Sequence, residues 1–486
     1  MSEPTLQPPA GPRAAAAPEG AALPWRRALV YGLGLSGRAA SRLLLRHGVR
    51  VLAVDDRDPA AAPDHELADL TARSGFEARP AAALERLPDD VEVVVASPGV
   101  PPERLLLAAA RERGLPVIAE VELAFRCLDG TVVGITGSNG KSTTTALAGA
   151  LIAAGGRSVA VCGNIGEPLS EVVEGPAGRV FVVELSSFQL EAIDRFRPRA
   201  AALLNLAPDH LDRHHDFESY AAAKQRLFER QGEGDFAVLN ADDQRVRDVA
   251  LPPAVRRRLF SRRGPVGDGC YVLEDRVVEV APGEPPRTLF ALEDLRLEGA
   301  HNLENAMAAA LLARGLEVGP EELAAGLRGF AGLPHRVQRV GELRGVAWVD
   351  DSKGTNVAAT LRSLEGFGDG TVHLILGGRG KGADFAPLRE AVASKARAVY
   401  LIGESASALE AALRLPERTR RSETLERAVG AAAESAHAGE VVLLSPACAS
   451  FDQFESFVDR GRTFQRLARA LPGFLPAAPG REGGGG

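Results

Sequence analysis

The sequence predicts an α/β protein of three domains, each built on a largely parallel sheet. Three observations lead there. At roughly 150 residues per domain, a chain of 486 residues is a prior for three. Short β-branched runs alternate with Ala-, Leu- and Arg-rich helical stretches along almost its whole length, as parallel sheets covered on both faces require. Three glycine-containing strand-to-helix turns, GLGLSG near 32, GITGSNGKST near 134 and LGGRGKG near 376, each open a new block.

In chain order, the strand-like runs begin with ALVYGLG (28–34), VRVLAVDD (49–56) and VEVVVASPGV (91–100). TVVGITG (131–137), RSVAVCGN (157–164), RVFVVELSS (179–187) and AALLNLAPD (201–209) form the middle group. VHLILGG (372–378), AVYLIG (398–403) and EVVLLSPA (440–447) form the last. Between 251 and 297 an Arg- and Pro-rich segment holds short pieces such as CYVLEDRVVEV, expected as a small insertion or subsheet. GLPHR at 332–336 reads as a boundary, because Gly-Leu-Pro follows a helical run. The expected domains are 25–122, 123–331 and 332–473, between an Ala/Pro-rich disordered tail (1–24) and a flexible tail (474–486).

Composition narrows the function. Apolar residues are 45% and charged residues 25%, with a net charge of −7. That balance argues against a general nucleic-acid or anionic-membrane binder, which carries a basic surplus. No apolar run approaches the ~18 residues of a membrane span. Cys127, Cys162, Cys270 and Cys448 show neither metal-ligand spacing nor disulfide density, as expected in a reducing cytosol. Cys448 is expected to pack rather than react.

The sharpest motif is Gly137-Ser138-Asn139-Gly140-Lys141-Ser142, followed by Thr143. A strand ending near Ile135, a glycine turn and a helix start aim backbone N–H groups at phosphate oxygens. Lys141 then reaches the β- and γ-phosphates and the Ser142 hydroxyl serves Mg²⁺. Isoleucine at 135 breaks the longer P-loop pattern, so the match is to a shorter GxxGK[ST] loop. GLGLSG supplies Gly32, Gly34 and Gly37 with Asp55 and Asp56 closing the next strand; its content is geometric, amides offered to an anion such as a nucleotide pyrophosphate. Ser97-Pro98-Gly99 ends a later strand of the same block.

Glu184 sits at a strand end, where an ATPase places a Mg²⁺ carboxylate. His210 follows Asp209 in a polar run. From the residues alone Lys224 reads as a solvated helical charge, and His214 and His215 as solvated loop residues. His301, Asn302 and Asn305 stand near a helix start, fit either for capping or for adenine. Asp350-Asp351-Ser352-Lys353-Gly354-Thr355-Asn356 gathers acids, hydroxyls and a base in one loop, and Lys381 follows a glycine-rich turn.

Taken together, GLGLSG, GITGSNGKSTTT, GNIG, ELSSFQLE, DHLDRH, AAAKQRLF, HNLEN, GLPHR, DDSKGTN, LGGRGKGADF and SPACASFDQF closely resemble the Mur ligases across roughly residues 27 to 470. ELSSFQLE, DDSKGTN and SPACASFDQF look like the D-glutamate-adding branch, and no D-N-P-R-type motif of the diaminopimelate- or lysine-adding branch is found. The related folylpolyglutamate synthetases share the GxxGK loop but are not expected to begin with GLGLSG.

The resemblance implies a Rossmann-like UDP-binding domain, a central P-loop ATPase-type domain and a C-terminal Rossmann-like domain. It implies an ATP-dependent ligase joining D-glutamate to UDP-N-acetylmuramoyl-L-alanine through an acyl phosphate, in cytoplasmic peptidoglycan precursor synthesis, as a monomer. Lys141, Lys224 and His210 are then catalytic. Ser142 and Glu184 hold one Mg²⁺; His210 and Lys224, carbamylated by CO₂, serve a second. Gly137 to Thr143 bind ATP together with Asn302, Asn305, Arg336 and Asp351. Leu35, Ser36, Gly37, Asp55, Asp56, Arg57, Ser97, Gly99, Asn164 and Gln189 face the UDP-substrate. Lys381, Thr355, Ser450 and Phe457 take D-glutamate with Lys353 close by, Ser450 as a helix-start serine. Gly354, where the family often has Ala, is expected to loosen its loop slightly. Contacts to ATP from two domains imply closure over the site, with a hinge near Gly329 to Pro334. An NAD-dependent oxidoreductase, a ligase for another amino acid and a nonenzymatic ATP switch are the rival readings; only the second leaves the last block explained.

Overall fold

The computed structural model describes residues 23–477 except 62–64, 210, 298 and 381, so most of both expected tails lies outside the described residues. The chain divides into two compact units, Met1–Phe290 with Met307–Leu323, and Ala291–Ala306 with Ala324–Gly486.

The first unit carries two sheets. One is five-stranded: β1 (Arg27–Tyr31), β2 (Arg50–Asp55), β3 (Phe76–Pro80), β4 (Val93–Ala96) and β5 (Val117–Ala119), in the order β3-β2-β1-β4-β5. All its pairings are parallel. The chain leaves β1 toward β2 on one side and returns to β4 on the other. That reversal opens a crevice beyond the carboxyl ends of β1 and β4, where GLGLSG and Ser97 to Gly99 lie.

The second sheet has nine strands: β6 (Gly130–Thr136), β7 (Val159–Gly163), β8 (Arg179–Glu184), β9 (Ala200–Leu203), β10 (Phe236–Asn240), β11 (Arg256–Ser261), β12 (Gly269–Leu273), β13 (Arg276–Val280) and β14 (Arg287–Ala291). Their order is β14-β13-β12-β11-β10-β9-β6-β8-β7. β6 is flanked by parallel β8 and β9, so the loop after it opens at the sheet centre, again at a reversal of strand order. Every residue of β9 is buried, as a strand covered on both faces must be. The expected subsheet at 251–297 is corrected: β11 to β14 extend the same sheet. Its far edge turns antiparallel at β12–β13, because a two-residue turn (Glu274–Asp275) joins those strands and leaves no room for a crossover helix.

Both sheets of this unit share one apolar core, running from Leu23 and Leu43 through Leu123 to Phe181 and Leu239. Leu23, expected in the tail, is part of it. Glu122, fully buried, bonds across the seam: its carboxylate accepts the Asp194, Arg195 and Phe196 N–H groups at 2.9–3.0 Å and Arg126 Nε at 2.7 Å.

The second unit contains β15 (Gln338–Leu343), β16 (Val346–Asp350), β17 (Val372–Gly377), β18 (Ala396–Ile402), β19 (Thr419–Glu423), β20 (Val441–Leu444) and β21 (Leu475–Pro476), ordered β19-β18-β17-β20-β16-β15-β21. β16 to β20 pair in parallel; β15 and β21 form an antiparallel edge. Leu475 and Pro476, expected in the flexible tail, instead pair with Glu342 and Gly341. The carboxyl ends of β16, β17 and β20 bring DDSKGTN, LGGRGKG and SPACASF to one edge.

Candidate active site

The nucleotide loop is held by hydrogen bonds within itself and from neighbouring elements. β6 ends at Thr136, and the helix Lys141–Ala154 starts from Gly140 in the left-handed region (φ 82°), with no acidic residue in its first turn. A side chain at Gly140 would be strained, and an acid at the helix start would repel phosphate. Asn205, at the end of β9, holds the loop from one side: its Oδ1 accepts Asn139 N–H at 2.8 Å and its Nδ2 donates to Asn139 O at 3.0 Å. Ser138 Oγ donates to Ala207 O and meets Tyr220 Oη, each at 2.9 Å. Lys141 Nζ folds over the turn, donating to Gly137 O at 2.9 Å and Ser138 O at 3.0 Å. Ser142 and Thr143 are buried in the first turn.

On the other side of β6, Glu184 ends β8 with its carboxylate buried. Oε1 accepts from Asn164 Nδ2 at 2.8 Å, while Oε2 is buried with no hydrogen-bond partner. A buried carboxylate oxygen without a partner is costly unless a cation completes it. With the Ser142 hydroxyl it offers the hard oxygens that Mg²⁺ takes while keeping waters and phosphate oxygens. Among the described residues no cluster of three or more His, Cys, Asp or Glu side chains is gathered for a metal. His210 lies outside the described residues.

Lys224, which its sequence position alone would put in solvent, is only 2% exposed. Its Nζ lies 3.5 Å from Thr136 Oγ1 and 4.6 Å from the Tyr220 ring centre. Burial, reinforced by Lys141, holds its pKa well below the ordinary lysine value, with Asp209 and Glu184 opposing. A signal in the composition points the same way: five of the 57 basic residues are lysine, at 141, 224, 353, 381 and 395. Arginine carries most of the positive charge, which sets the few lysines apart, although Lys395 only pairs with exposed Asp369 at 2.8 Å. His214 is a second correction. It is buried rather than solvated, with Nε2 2.9 Å from Ser187 Oγ, Nδ1 3.1 Å from Glu191 and its ring stacked on Phe188; His215 is exposed. The Phe188 ring, 26 residues back, and the Tyr220 ring flank His214, and local polarity carried no sign of them.

The first glycine turn is built from close approach. A Cβ on Gly37 would stand 1.7 Å from Gly32 O, so the helix Leu35–Arg46 can lie against the turn only without a side chain there. Asp55 Oδ2 accepts Leu33 N–H at 2.8 Å and Oδ1 accepts Arg57 N–H at 3.0 Å; Ser97 Oγ donates to Gly32 O at 2.8 Å. Asp56 pairs with Arg104 and accepts from Tyr31 Oη at 2.8 Å; burial and that acid push the tyrosine up to about 12. Leu35 and Gly99 are exposed at the crevice mouth and Ser36 is half-buried. Two residues expected toward the substrate have other partners as well: Asn164 holds Glu184, and Gln189 closes a capping box with Ser186.

In the second unit, Asp351 is buried: Oδ2 accepts from Ser363 Oγ at 2.6 Å and Ser445 Oγ at 2.7 Å, and burial raises its pKa to about 6. Half-buried Arg336 lowers that value. Gly354 sits in a tight place: a Cβ there would come within 2.7 Å of Asp351 Oδ2 and 2.8 Å of Ser445 Oγ, so those side-chain ends would have to shift to admit one. Lys353 Nζ sits 3.9 Å over the Phe457 ring, with Thr355 half-buried beside it. Ser450 is buried but does not start a helix: Ser456 caps the helix Phe457–Arg469, and Ser450 O instead accepts Gln453 and Phe454 N–H in a preceding turn. Lys381 lies outside the described residues. Asn302 and Asn305 are buried on the helix Ala300–Arg314, 3.3 Å apart through their amides, and burial pulls His301 down to about 4.

Sequence reasoning missed Arg460. It is fully buried, donating to Ser352 Oγ, Ser352 O and Cys448 O at 2.8–3.1 Å, so it ties DDSKGTN to SPACASF. One turn on, Gln465 bonds Asp350, which also holds His335 Nδ1 at 2.7 Å. A lone arginine far along the chain carries no motif; only its helix position, facing the two loops, reveals it.

Three family models match: Mur ligase MurD-like N-terminal domain over residues 26–119, Mur ligase middle domain over 135–313, and Mur ligase glutamate ligase domain over 335–448. The chain is 43% identical to the UDP-N-acetylmuramoylalanine–D-glutamate ligase of Koribacter versatilis, over 92% of this chain and 98% of that one. It is 47% identical to the enzyme of the same name from Anaeromyxobacter dehalogenans, over 93% and 99%. Among solved structures, the UDP-N-acetylmuramate–alanine ligase of Thermotoga maritima superposes with a TM-score of 0.57 at 18% identity, covering 91% of this chain and 99% of that chain, a likeness of fold.

Proposed function

This chain belongs to the Mur ligase family, and from that premise we propose how its residues divide the work of the reaction. The protein is an ATP-dependent ligase that joins D-glutamate to UDP-N-acetylmuramoyl-L-alanine in peptidoglycan precursor synthesis. The observation that carries the choice of amino acid is its 43–47% identity, over nearly the whole chain, to ligases with that name. The family works with ATP and Mg²⁺.

The amides of Gly137 to Ser142 and the Lys141 ammonium hold the phosphates, which phosphoryl transfer needs more than covalent help. The L-alanine carboxylate of the substrate attacks the γ-phosphorus and ADP leaves. The D-glutamate amine then attacks the acyl phosphate carbonyl, and phosphate departs. Ser142 and Glu184 would hold one Mg²⁺, which would neutralise charge on the phosphate oxygens. The first glycine turn, with Leu35 to Gly37, Asp55 to Arg57, Ser97 and Gly99, holds the UDP moiety, and Asn164 and Gln189 extend toward the sugar-peptide. Asn302, Asn305, Arg336 and Asp351 serve ATP; Thr355, Lys381, Ser450 and Phe457 serve D-glutamate. Three domains near 25–122, 123–331 and 332–473 share these tasks. Among the described residues no helix is long and apolar enough to cross a membrane, and the nucleotide substrates favour a cytoplasmic location.

Lys224 carries the finer proposal. Its depressed pKa leaves a neutral amine whose lone pair attacks CO₂; the nitrogen then loses a proton and the product is an N-carboxylate. With His210 that anion serves a second Mg²⁺. Burial beside Glu184 and Lys141 supports this, since an ammonium there would repel the metal. Protein equilibrated with ¹³C-bicarbonate should give a carbamate carbon signal that Lys224→Ala loses; an unchanged signal in that variant refutes it.

The activity is tested by phosphate release with ATP, Mg²⁺ and UDP-N-acetylmuramoyl-L-alanine while D-glutamate, L-glutamate, L-lysine and diaminopimelate are scanned. Turnover with D-glutamate alone is expected. Turnover with another amine would overturn the assignment of the last domain.

A further inference from the structure

We propose a second anion site, for a small phosphate-bearing molecule, at the edge of the nine-stranded sheet opposite the nucleotide loop. Phe236 and Arg256 are register partners at the starts of parallel β10 and β11, whereas the nucleotide loop follows the end of β6. Two adjoining cavities open there, of about 410 and 240 Å³, sharing Arg256, Arg258 and Gly315. Their combined volume is that of a ligand site, but the walls are charged.

Arg199, Arg256, Arg258, Arg287 and Arg314 line this space against the carboxylates of Asp235, Glu279 and Glu284, leaving two positive charges in excess. Arg258 is 5% exposed; it donates to Glu279 Oε1 at 2.5 Å, and Glu279 also takes Arg314 Nε at 2.9 Å. One carboxylate is thus shared by two guanidiniums. Asp268, outside the lining, is held in two hydrogen bonds by Arg256, and Arg258 Nε, 3.5 Å from it, is buried without a hydrogen-bond partner. That Nε is ion-paired with Asp268 but makes no hydrogen bond, so one buried donor beside the cavity is left for a better-placed acceptor. At the mouth Arg287 pairs with Glu284 at 3.3 Å with both side chains more than half exposed, a pairing of small worth that a ligand can exchange. Guanidinium forks approaching from several elements suit the tetrahedral oxygens of phosphate.

Pyrophosphate is the probe, titrated calorimetrically into the full-length protein with UDP-N-acetylmuramoyl-L-alanine, Mg²⁺ and a non-hydrolysable ATP analogue saturating, so that both glycine turns are filled. One further site is expected, weakening as salt rises and at least tenfold weaker in Arg287→Glu and in Arg256→Gln. Arg287→Glu lies on the surface and should leave kcat unchanged, so it keeps the test valid if Arg256→Gln folds poorly. Absence of the extra site, or binding that neither substitution weakens, overturns the proposal.

Discussion

The turn after β1 and the turn after β6 share a local plan and differ in what closes on them. Each follows a buried parallel strand, uses glycine where backbone crowds backbone, and feeds a helix with no acid in its first turn. At the first, neighbouring side chains spend themselves on the turn: Asp55 takes Leu33 N–H and Ser97 donates to Gly32 O. At the second, Glu184 leaves one buried oxygen without a hydrogen-bond partner, and Lys224 is buried with its Nζ 3.5 Å from Thr136 Oγ1. The first is a finished cradle, suited to binding a pyrophosphate that does not react. The second holds incomplete charges whose completion coincides with the reaction, which is where binding energy raises kcat.

The largest effect should come from that incomplete charge. Glu184→Gln keeps the shape and the Asn164 contact but removes the anion, and kcat for phosphate release should fall by about 10³-fold, with KM for the UDP-substrate within a few-fold. Substitution of Lys141 by Ala should do the same. A Glu184→Gln enzyme within tenfold of the parent would break the comparison, because the second turn would then be a cradle like the first.

Next comes Lys224. Lys224→Ala should lose about 10²-fold or more in kcat, the range of a positioned catalytic group. Lys224→Glu should keep part of the activity, and a small carboxylic acid should restore part of it to the Ala variant. Full activity of Lys224→Ala would mean the amine is buried for packing alone.

The parallel strands of the three sheets were legible because period and glycine punctuation are local properties. So were Gly137 to Ser142 and Glu184, each at a strand end. What stayed hidden depended on tertiary cover: His214 looked solvated because the Phe188 ring that covers it comes from another segment, and Arg460 bonds Ser352, 108 residues away. Ser450 misled because the next serine that can cap, Ser456, stands where the helix begins. The edge hairpin β12–β13 escaped because Arg- and Pro-rich composition says nothing about which sheet a strand joins.

A smaller effect concerns the seam that carries both turns on one unit. Glu120 is fully buried, accepts Ser170 N–H at 2.6 Å and is raised to about 7 by burial, against 4.5 unperturbed. Between those values the folded state holds a proton that the unfolded state has lost, so stability falls as pH climbs through that window and stays lowered above it. Glu120→Gln removes the penalty. Denaturant melts should show a gain of about 3 kcal/mol at pH 8, shrinking to nothing near pH 4.5. A gain independent of pH would locate the effect in packing rather than in charge.

The smallest effect tests whether the first turn is held by its neighbours at all. Ser97→Ala removes one donor and leaves Gly32 O to Gly37 and water. A neutral hydrogen bond of this kind is worth about 1 kcal/mol, so the turn should survive with Tm lowered by a few degrees. Because Gly37 already lies against Gly32 O, the relaxed carbonyl can shift only away from the helix, toward the crevice proposed for the UDP moiety. KM for the UDP-substrate should therefore rise a few-fold while kcat and the ATP dependence stay put. That split separates the two turns by function. Were kcat to fall with KM unchanged, Ser97 would act on the reacting end, and the first turn would be more than a cradle.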